Sequence, residues 1–266
     1  MTPSLGLDHV YLRVHDLDAM LDFFQRRLGL PLSWPVCDEP FAQFAWVNAG
    51  NVQLELWQAR SDQDLPSGTS LPCVAGLGLW PEDVHASRKA LERAGIACKE
   101  PRAWRTVASG REALNFTNCL VLDASAPACQ VFFCEWDPNA PIAPWPKGES
   151  TADRRDRLAK ELADQDGGAI GLVGMRAVHM RSPDPAATAR VWKAITGSAG
   201  VVAPKVALFL DAGPELRIEA MEFGVVDLHA AQTSLIRKGF RGERHGNVLW
   251  LDPRQTFGLR LALSGV

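Results

Sequence analysis

The sequence predicts an α+β fold in which one strand–helix–strand module is repeated four times and arranged as two domains. Three observations support this prediction. Four short amphipathic segments each begin at an aspartate and end at a glycine 12 or 13 residues later. A strand-like apolar run precedes each segment, and two or three extended runs follow it. A proline-rich stretch then separates the second module from the third.

The four amphipathic segments carry the end signals of helices. An aspartate accepts hydrogen bonds from the free N–H groups of the first helical turn. A glycine readily adopts the left-handed conformation that ends a helix. The predicted helices lie at residues 16–29, 83–95, 184–197 and 227–239.

The extended runs around these helices predict the strands. The strands before the helices lie at residues 5–14, 74–80, 174–181 and 221–226. Those after the helices lie at residues 41–47 and 52–57, 113–123 and 130–136, 206–211 and 215–220, and 247–252 and 257–263.

The modules group into two predicted domains. The N-terminal domain is residues 1–136, with modules at 5–58 and 73–136. The C-terminal domain is residues 169–266, with modules at 170–220 and 221–263. Residues 137–168 form the boundary, a proline-rich linker followed by a charged surface helix from residue 151. The sequence leaves two pairings open, because module one can pair with module two or with module four.

Composition excludes several classes of protein. The 266 residues are 47% hydrophobic and 22% charged with a net charge of −3, which is typical of a globular protein without a strongly basic face. We therefore expect a small-molecule substrate and no nucleic-acid or membrane partner, with a homodimer possible. No apolar run approaches the ~18 residues of a membrane span, and the N-terminus lacks a signal-peptide pattern. We expect a cytoplasmic protein whose six cysteines, none in a C-x-x-C motif, are reduced.

Alternation along the strands indicates which side chains share a face. In the first strand Val10, Leu12 and Val14 form an apolar face, and His9, Tyr11 and Arg13 form the opposite one; Gln53, Glu55 and Trp57 likewise oppose Leu54 and Leu56. Two interpretations are open. The polar face is either an ordinary solvated sheet surface or the concave wall of a small-molecule pocket.

Several local strings favour the second interpretation. Leu-Asp-His-Val-Tyr-Leu-Arg-Val at residues 7–14, Asp-Leu-Asp at 16–18, Phe-Phe at 23–24 and Leu-Gly-Leu at 28–30 resemble the opening of the vicinal oxygen chelate superfamily. This superfamily includes glyoxalase I, extradiol dioxygenases and the fosfomycin- and bleomycin-resistance proteins. Residues 52–56, 132–137 and 251–261 resemble its later strands, in a form similar to the glyoxalase-like branch. The resemblance implies βαβββ modules that pair into cup-shaped mixed sheets.

The resemblance also implies a metal site. His9, Glu55 and Glu135 match three of the four positions that supply metal ligands in the superfamily, whereas the remaining position falls near Gly76. A divalent Fe, Mn, Ni or Zn ion held there would act as a Lewis acid on a substrate with neighbouring oxygens. The expected catalytic groups are Glu135, as a proton shuttle, and Tyr11. The 2-His-1-carboxylate set of iron oxygenases is not met.

The expected substrate-binding side chains are Tyr11, Arg13, Trp57 and Phe133. In the C-terminal half, Ala177 matches His9, Glu219 matches Glu55, and the closing position falls near Ala262, so the metal set is not retained. The inward side chains expected in this half are His179, Arg181, Arg217, Glu219 and Arg260, which resemble an ion-paired interior or an anion pocket.

Two functions are therefore expected. The first is a metal-dependent enzyme of the glyoxalase type, either a lyase or isomerase or a dioxygenase. The alternative is a metal-free small-molecule binding or resistance protein with the same fold, in which His9, Glu55 and Glu135 are structural. No nucleotide cofactor is expected, because the sequence has no glycine-rich phosphate-binding motif.

Overall fold

The computed structural model describes residues 2–61, 63, 65, 69–108 and 110–266. These residues form two mixed β-sheets and five α-helices. The helices are α1 (Leu17–Leu21), which continues as a π-helical turn over Asp22–Arg27, α2 (Val84–Arg93), α3 (Thr151–Asp164), α4 (Pro185–Thr196) and α5 (Leu228–Arg237). Within the described part of the chain, no helix has the length and apolar character needed to cross a bilayer.

The N-terminal sheet has eight strands in the order β2-β3-β4-β1-β5-β8-β7-β6. The strands are β1 (Gly6–Arg13), β2 (Leu32–Asp38), β3 (Ala42–Asn48), β4 (Gln53–Ala59), β5 (Cys73–Trp80), β6 (Arg102–Ala108), β7 (Arg111–Leu120) and β8 (Gln130–Trp136). At its centre β1 is parallel to β4 and antiparallel to β5, and β5 is parallel to β8. Modules one and two therefore pair with each other.

The C-terminal sheet has seven strands in the order β10-β11-β9-β12-β15-β14-β13. The strands are β9 (Leu172–Ser182), β10 (Val201–Ala203), β11 (Val206–Ala212), β12 (Arg217–Val225), β13 (Gly242–His245), β14 (Val248–Leu251) and β15 (Arg260–Gly265). Here β9 is parallel to β11 and antiparallel to β12, and β12 is parallel to β15. The predicted α+β class with two curled mixed sheets is confirmed, and the pairing of modules is consecutive.

Module three departs from the prediction. The two strands expected at residues 215–220 and 221–226 are wrong, because the structure has the single strand β12 there. Residues 217–223 contain no glycine or proline, so no turn separates the two expected strands. In the N-terminal sheet β4 is the parallel neighbour of β1. In the C-terminal sheet β11 is the corresponding parallel neighbour of β9.

The predicted helix ends are confirmed. Each N-cap aspartate accepts a hydrogen bond from a backbone N–H of the first turn, as Asp16 does from Ala19 at 2.9 Å. The equivalent bonds join Asp83 to Ala86, Asp184 to Ala187 and Asp227 to Ala230. The glycines that end the four helices have φ between +73° and +83°, a region that favours glycine.

The apolar sides of the two sheets share one hydrophobic core. Val10 and Leu12 of β1 belong to the same buried cluster as Met221 and Phe223 of β12, with all four helix-bearing modules contributing. The opposite sides of the sheets, which bear His9 and His179 respectively, therefore face away from this core in different directions. We call them the N-terminal and C-terminal inner faces.

A side-chain clamp joins the two halves. The amide of Asn51 donates to the Met175 carbonyl at 2.9 Å and accepts from the Met175 N–H at 2.7 Å. The neighbouring residue is Gly174, with φ +152°, and a Cβ there would lie 2.7 Å from Asn51 Oδ1. The close approach therefore requires glycine. Cys37, Cys98, Cys119, Cys129 and Cys134 are free thiols.

Candidate functional site

The N-terminal inner face contains a buried chain of ionisable side chains. His9 lies between two carboxylates, with Nδ1 2.9 Å from Asp8 Oδ2 and Nε2 3.6 Å from Glu55 Oε2. His9 and Glu55 stand on neighbouring parallel strands, which brings them together as predicted. Burial raises the pKa of Glu55, and attraction to His9 only partly opposes this.

Asp8 is held ionised by an arginine from α3. Arg154 Nη2 lies 2.6 Å from Asp8 Oδ1, and both side chains are almost fully buried. Burial alone would raise the pKa of Asp8, but Arg154, followed by His9, outweighs it and keeps that pKa well below its usual range. The indole of Trp136 also donates to Asp8, at 3.2 Å. This carboxylate is therefore fully committed to contacts within the protein.

A tryptophan cluster packs beside His9 on the N-terminal inner face. Trp145 packs against Trp34 and Trp136 at 5.1 Å between ring centroids, and Trp46 lies 4.8 Å from the His9 ring. Arg154 lies 4.3 Å above the Trp145 ring, close enough for a cation–π contact. Only 3% of Trp46 and 7% of Trp145 is exposed.

Trp145 and Arg154 come from the segment that sequence analysis assigned to a linker and a surface helix. We call residues 137–164 the covering segment. Its buried members include Ala140, Ala143 and Leu158 as well as these two residues, and Lys147 Nζ donates to the Ala140 and Ala143 carbonyls. The charged surface helix predicted from residue 151 is present as α3, and the structure adds that one face of the covering segment packs onto the sheet.

The predicted metal set is not assembled. Glu135 does not join His9 and Glu55, since its Oε2 accepts the Val84 N–H at 2.7 Å at the start of α2. Gln58 accepts the Leu17 N–H at the start of α1 in the same way. The structure thus corrects the role of Glu135 from ligand and proton shuttle to a group that stabilises a helix N-terminus.

The position of module two that corresponds to Glu55 offers no donor in place of Glu135. Tyr11 pairs with Glu55, and the corresponding pair in module two is Gly78 with Phe132. The Phe132 ring lies 5.4 Å from His9, and a Cβ on Gly78 would lie 2.3 Å from His9 Cε1. Across residues 2–61, 63, 65, 69–108 and 110–266, no cluster of three or more histidine, cysteine, aspartate or glutamate side chains could hold a metal ion. The donor set does not fit the metal site that the superfamily implies.

The predicted substrate-binding residues have different environments. Phe133 is fully buried in the core on the helix side of the sheet, so its assignment to the pocket is corrected. Tyr11 and Arg13 do lie on the N-terminal inner face, where Arg13 Nη1 donates to the Tyr11 hydroxyl at 3.5 Å. Trp57 is stacked on Phe41 and Phe44 at 5.6 and 5.3 Å.

The C-terminal inner face is built from similar strands but is more open, since 20% of the His179 side chain is exposed against 4% of the His9 side chain. His179 Nε2 lies 3.4 Å from Glu222 Oε2, and this proximity lowers the pKa of Glu222. The His179 ring stacks on Phe209 at 4.8 Å and meets the edge of Trp250 at 5.4 Å. Phe209 is 49% exposed and lies on β11, the second strand from the edge of the sheet.

The other predicted inward residues of this half form one ionic cluster. Glu219 accepts from Arg181 Nε at its Oε2 and from Arg260 Nη1 at its Oε1, both at 2.6 Å. Arg217 Nη2 lies 3.9 Å from the same carboxylate. Partial burial would raise the pKa of Glu219, but Arg181 and Arg260 outweigh it and lower that pKa.

The strand register changes which residue of the C-terminal sheet corresponds to Glu55. Glu55 pairs with Tyr11 in the N-terminal sheet, and Phe209 pairs with His179 in the C-terminal sheet. The counterpart of Glu55 is therefore Phe209. The predicted counterpart, Glu219, is wrong because it rested on a closing strand that does not exist.

Sequence reasoning missed the residues that decide the character of the two faces. They are Asp8, Trp46, Phe132, Trp145 and Arg154 in the N-terminal half, and Phe209 and Glu222 in the C-terminal half. A signal was present for Phe132, because the inner face of β8 follows from the alternation once Val131 and Phe133 are placed in the core. No local pattern places Trp145 beside Trp34, which is more than 100 residues away in sequence.

Comparisons with known proteins agree with this architecture. Residues 8–116 match the family model of the glyoxalase/bleomycin resistance protein/dioxygenase superfamily. No curated protein sequence shows significant similarity to the chain.

Solved structures share the fold at low sequence identity. The Mn(II)-bound glyoxalase from Novosphingobium aromaticivorans matches all of this chain and 83% of its own, with 13% identity and a TM-score of 0.62. Homoprotocatechuate 2,3-dioxygenase from Arthrobacter globiformis matches all of this chain and 81% of its own, with 15% identity and a TM-score of 0.59. A 4-hydroxymandelate synthase mutant from Streptomyces coelicolor matches all of this chain and 93% of its own, with 13% identity and a TM-score of 0.63.

These comparisons confirm the resemblance predicted from the sequence. Both halves of the chain have the vicinal oxygen chelate fold, and residues 8–116 carry the sequence pattern of the glyoxalase/bleomycin resistance protein/dioxygenase superfamily.

Proposed function

We propose that this protein binds a small organic molecule on its C-terminal inner face and does so without a resident metal ion. The observation that supports this proposal is the contrast between the two faces. The covering segment buries the part of the N-terminal inner face around Trp34 and Trp46, whereas Phe209 and Arg260 remain about half exposed at the corresponding face of the other sheet.

The side chains of the C-terminal inner face suit such a ligand. Phe209 and Trp250 provide apolar surface on either side of His179. Arg181 and Arg260 provide charged hydrogen-bond donors beside it. Small-molecule sites commonly combine aromatic walls with a few polar groups that fix the orientation of the ligand.

A metal-dependent enzyme is the second candidate. The fold shared with a Mn(II)-bound glyoxalase and with dioxygenases favours it. The donor set argues against it, because only His9 and Glu55 of the expected ligands lie together and His9 already contacts Asp8. We therefore place the metal-free binding function first.

Indole N–H signals of the nine tryptophans provide a test. We would label the tryptophans with ¹⁵N, assign their signals by substitution, and add a mixture of neutral, anionic and cationic aromatic fragments. We expect the Trp250 signal to move and the signals of Trp46 and Trp145 to stay in place.

Two phenylalanines provide a matched control pair. Phe209→Ala should weaken the response of Trp250, whereas Phe41→Ala should leave it unchanged; Phe41 is a 58% exposed ring just before β3 of the N-terminal sheet. Binding that moves the Trp46 and Trp145 signals instead, or a mixture in which no fragment moves Trp250, would refute the proposal.

A further inference from the structure

We propose that the ligand of the C-terminal inner face carries a carboxylate, and that Glu219 is a built-in competitor for the arginines that bind it. This inference rests on the binding function proposed above. It adds the chemical class of the ligand and assigns Glu219 a role in setting its affinity.

The arginine cluster already binds one carboxylate, that of Glu219. Each oxygen of Glu219 accepts one charge-assisted hydrogen bond at 2.6 Å, from Arg181 and from Arg260. Such bonds are shorter and stronger than those between neutral groups. The two arginines stand on β9 and β15, which flank β12, so the sheet itself fixes the spacing between them.

Donors exceed acceptors in this cluster. Each guanidinium has five N–H groups, whereas Glu219 offers only two oxygens to Arg181, Arg217 and Arg260. Between about two-fifths and one-half of each arginine side chain is exposed, while only 15% of Glu219 is. A ligand approaching from solvent therefore meets the guanidinium groups before it meets the carboxylate.

The aromatic and ionic parts of the face adjoin each other. The Trp250 ring lies 5.4 Å from the His179 ring and 5.3 Å from the Arg260 guanidinium. A molecule that packs on the exposed ring of Phe209 can therefore extend past the Trp250 indole and reach the Arg260 guanidinium. This arrangement suits a compact ligand with an apolar body and one anionic end.

Other charges on the face favour one carboxylate over a more highly charged anion. Asp211 lies opposite Arg181 in the strand register, and Glu215 lies 3.5 Å from Arg217. These carboxylates limit the positive potential of the cluster. A single negative charge gains the hydrogen bonds, whereas a phosphate dianion meets greater repulsion from Asp211, Glu215 and Glu219.

Four probes test the ligand class through the Trp250 indole signal. They are benzoate, its neutral analogue benzamide, the cation benzylammonium, and inorganic phosphate. We expect benzoate to bind about tenfold more tightly than benzamide, and benzylammonium and phosphate to bind more weakly still.

Substitutions then test the role of Glu219. Glu219→Gln removes the competing charge and should strengthen benzoate binding about threefold or more, whereas Arg181→Gln and Arg260→Gln should each weaken it about tenfold. Glu243→Gln, which removes an exposed carboxylate of the same sheet, is the matched control and should change little. Weaker binding in Glu219→Gln would overturn the competitor role.

The outcomes separate this inference from the proposed function. If benzamide moves Trp250 as effectively as benzoate does, the face binds small molecules but the carboxylate class is wrong. Tighter binding of phosphate or benzylammonium would likewise overturn the ligand class alone. If no aromatic fragment of any charge moves Trp250, the proposed function fails as well.

Discussion

Truncation of Trp145 tests whether the covering segment is a fixed part of the N-terminal half. Trp145→Ala removes an indole that packs against Trp34 and Trp136 and under Arg154. Large-to-small changes of aromatic side chains in protein cores cost ~3–5 kcal/mol, because transfer free energy is lost and a cavity remains. Trp145 is 7% exposed, so we expect a loss in this range.

The assay is urea unfolding followed by far-ultraviolet circular dichroism, which does not depend on tryptophan fluorescence. The matched control is Trp104→Ala on the edge strand β6, where 45% of the indole is exposed and the expected loss is below about 1.5 kcal/mol. Added indole should restore part of the stability of Trp145→Ala by entering the cavity. A loss below about 1 kcal/mol would refute the packed cover.

Three further substitutions test the contacts around His9 and Glu135. Gly78→Ala should destabilise the protein by about 1–3 kcal/mol, because the added Cβ would meet the His9 ring. Most of this loss should vanish when the same substitution is made in a His9→Ala background. Equal losses in both backgrounds would contradict the contact. Glu55→Gln should gain stability relative to wild type as pH rises from about 4 to 8. In wild type, the raised pKa of Glu55 stabilises the folded state below the unfolded pKa of about 4.3, and this stabilisation is lost as the folded carboxyl ionises. A pH-independent difference between the urea midpoints of the variant and wild type would count against this. Glu135→Ala should cost about 0.5–2 kcal/mol by removing the hydrogen bond to Val84, a loss that Glu112→Ala, an exposed glutamate of β7, should not reproduce.

Local signals made much of the fold predictable. The N-cap aspartates and terminal glycines fixed four helices, because each signal depends only on residues within one or two turns. The face of β1 was equally clear, since Val10, Leu12 and Val14 alternate with His9 and Tyr11. Where apolar and polar residues alternate along a strand, the apolar side is the one that packs on the core, so the alternation alone predicts the buried face.

The candidate site was less predictable, because it depends on faces and contacts that alternation does not resolve. In β8 each face carries one phenylalanine, so Phe132 is distinguished from Phe133 only once Val131 and Phe133 are known to lie in the core, and Glu135 was placed with the wrong neighbours. The Pro-rich composition around Trp145 is typical of a linker. Its burial depends on residues of β2 and β3 that are far away in sequence.

Metal analysis tests the unequal roles of the two faces most directly. Purified protein would be measured for Mn, Fe, Ni and Zn, and each ion would then be titrated into chelator-treated wild type, His9→Ala and Glu55→Gln. We expect far less than one ion per chain and no binding heat that depends on His9 or Glu55. One tightly held ion per chain, lost in both variants, would show that the N-terminal inner face is a metal centre and would contradict the metal-free function.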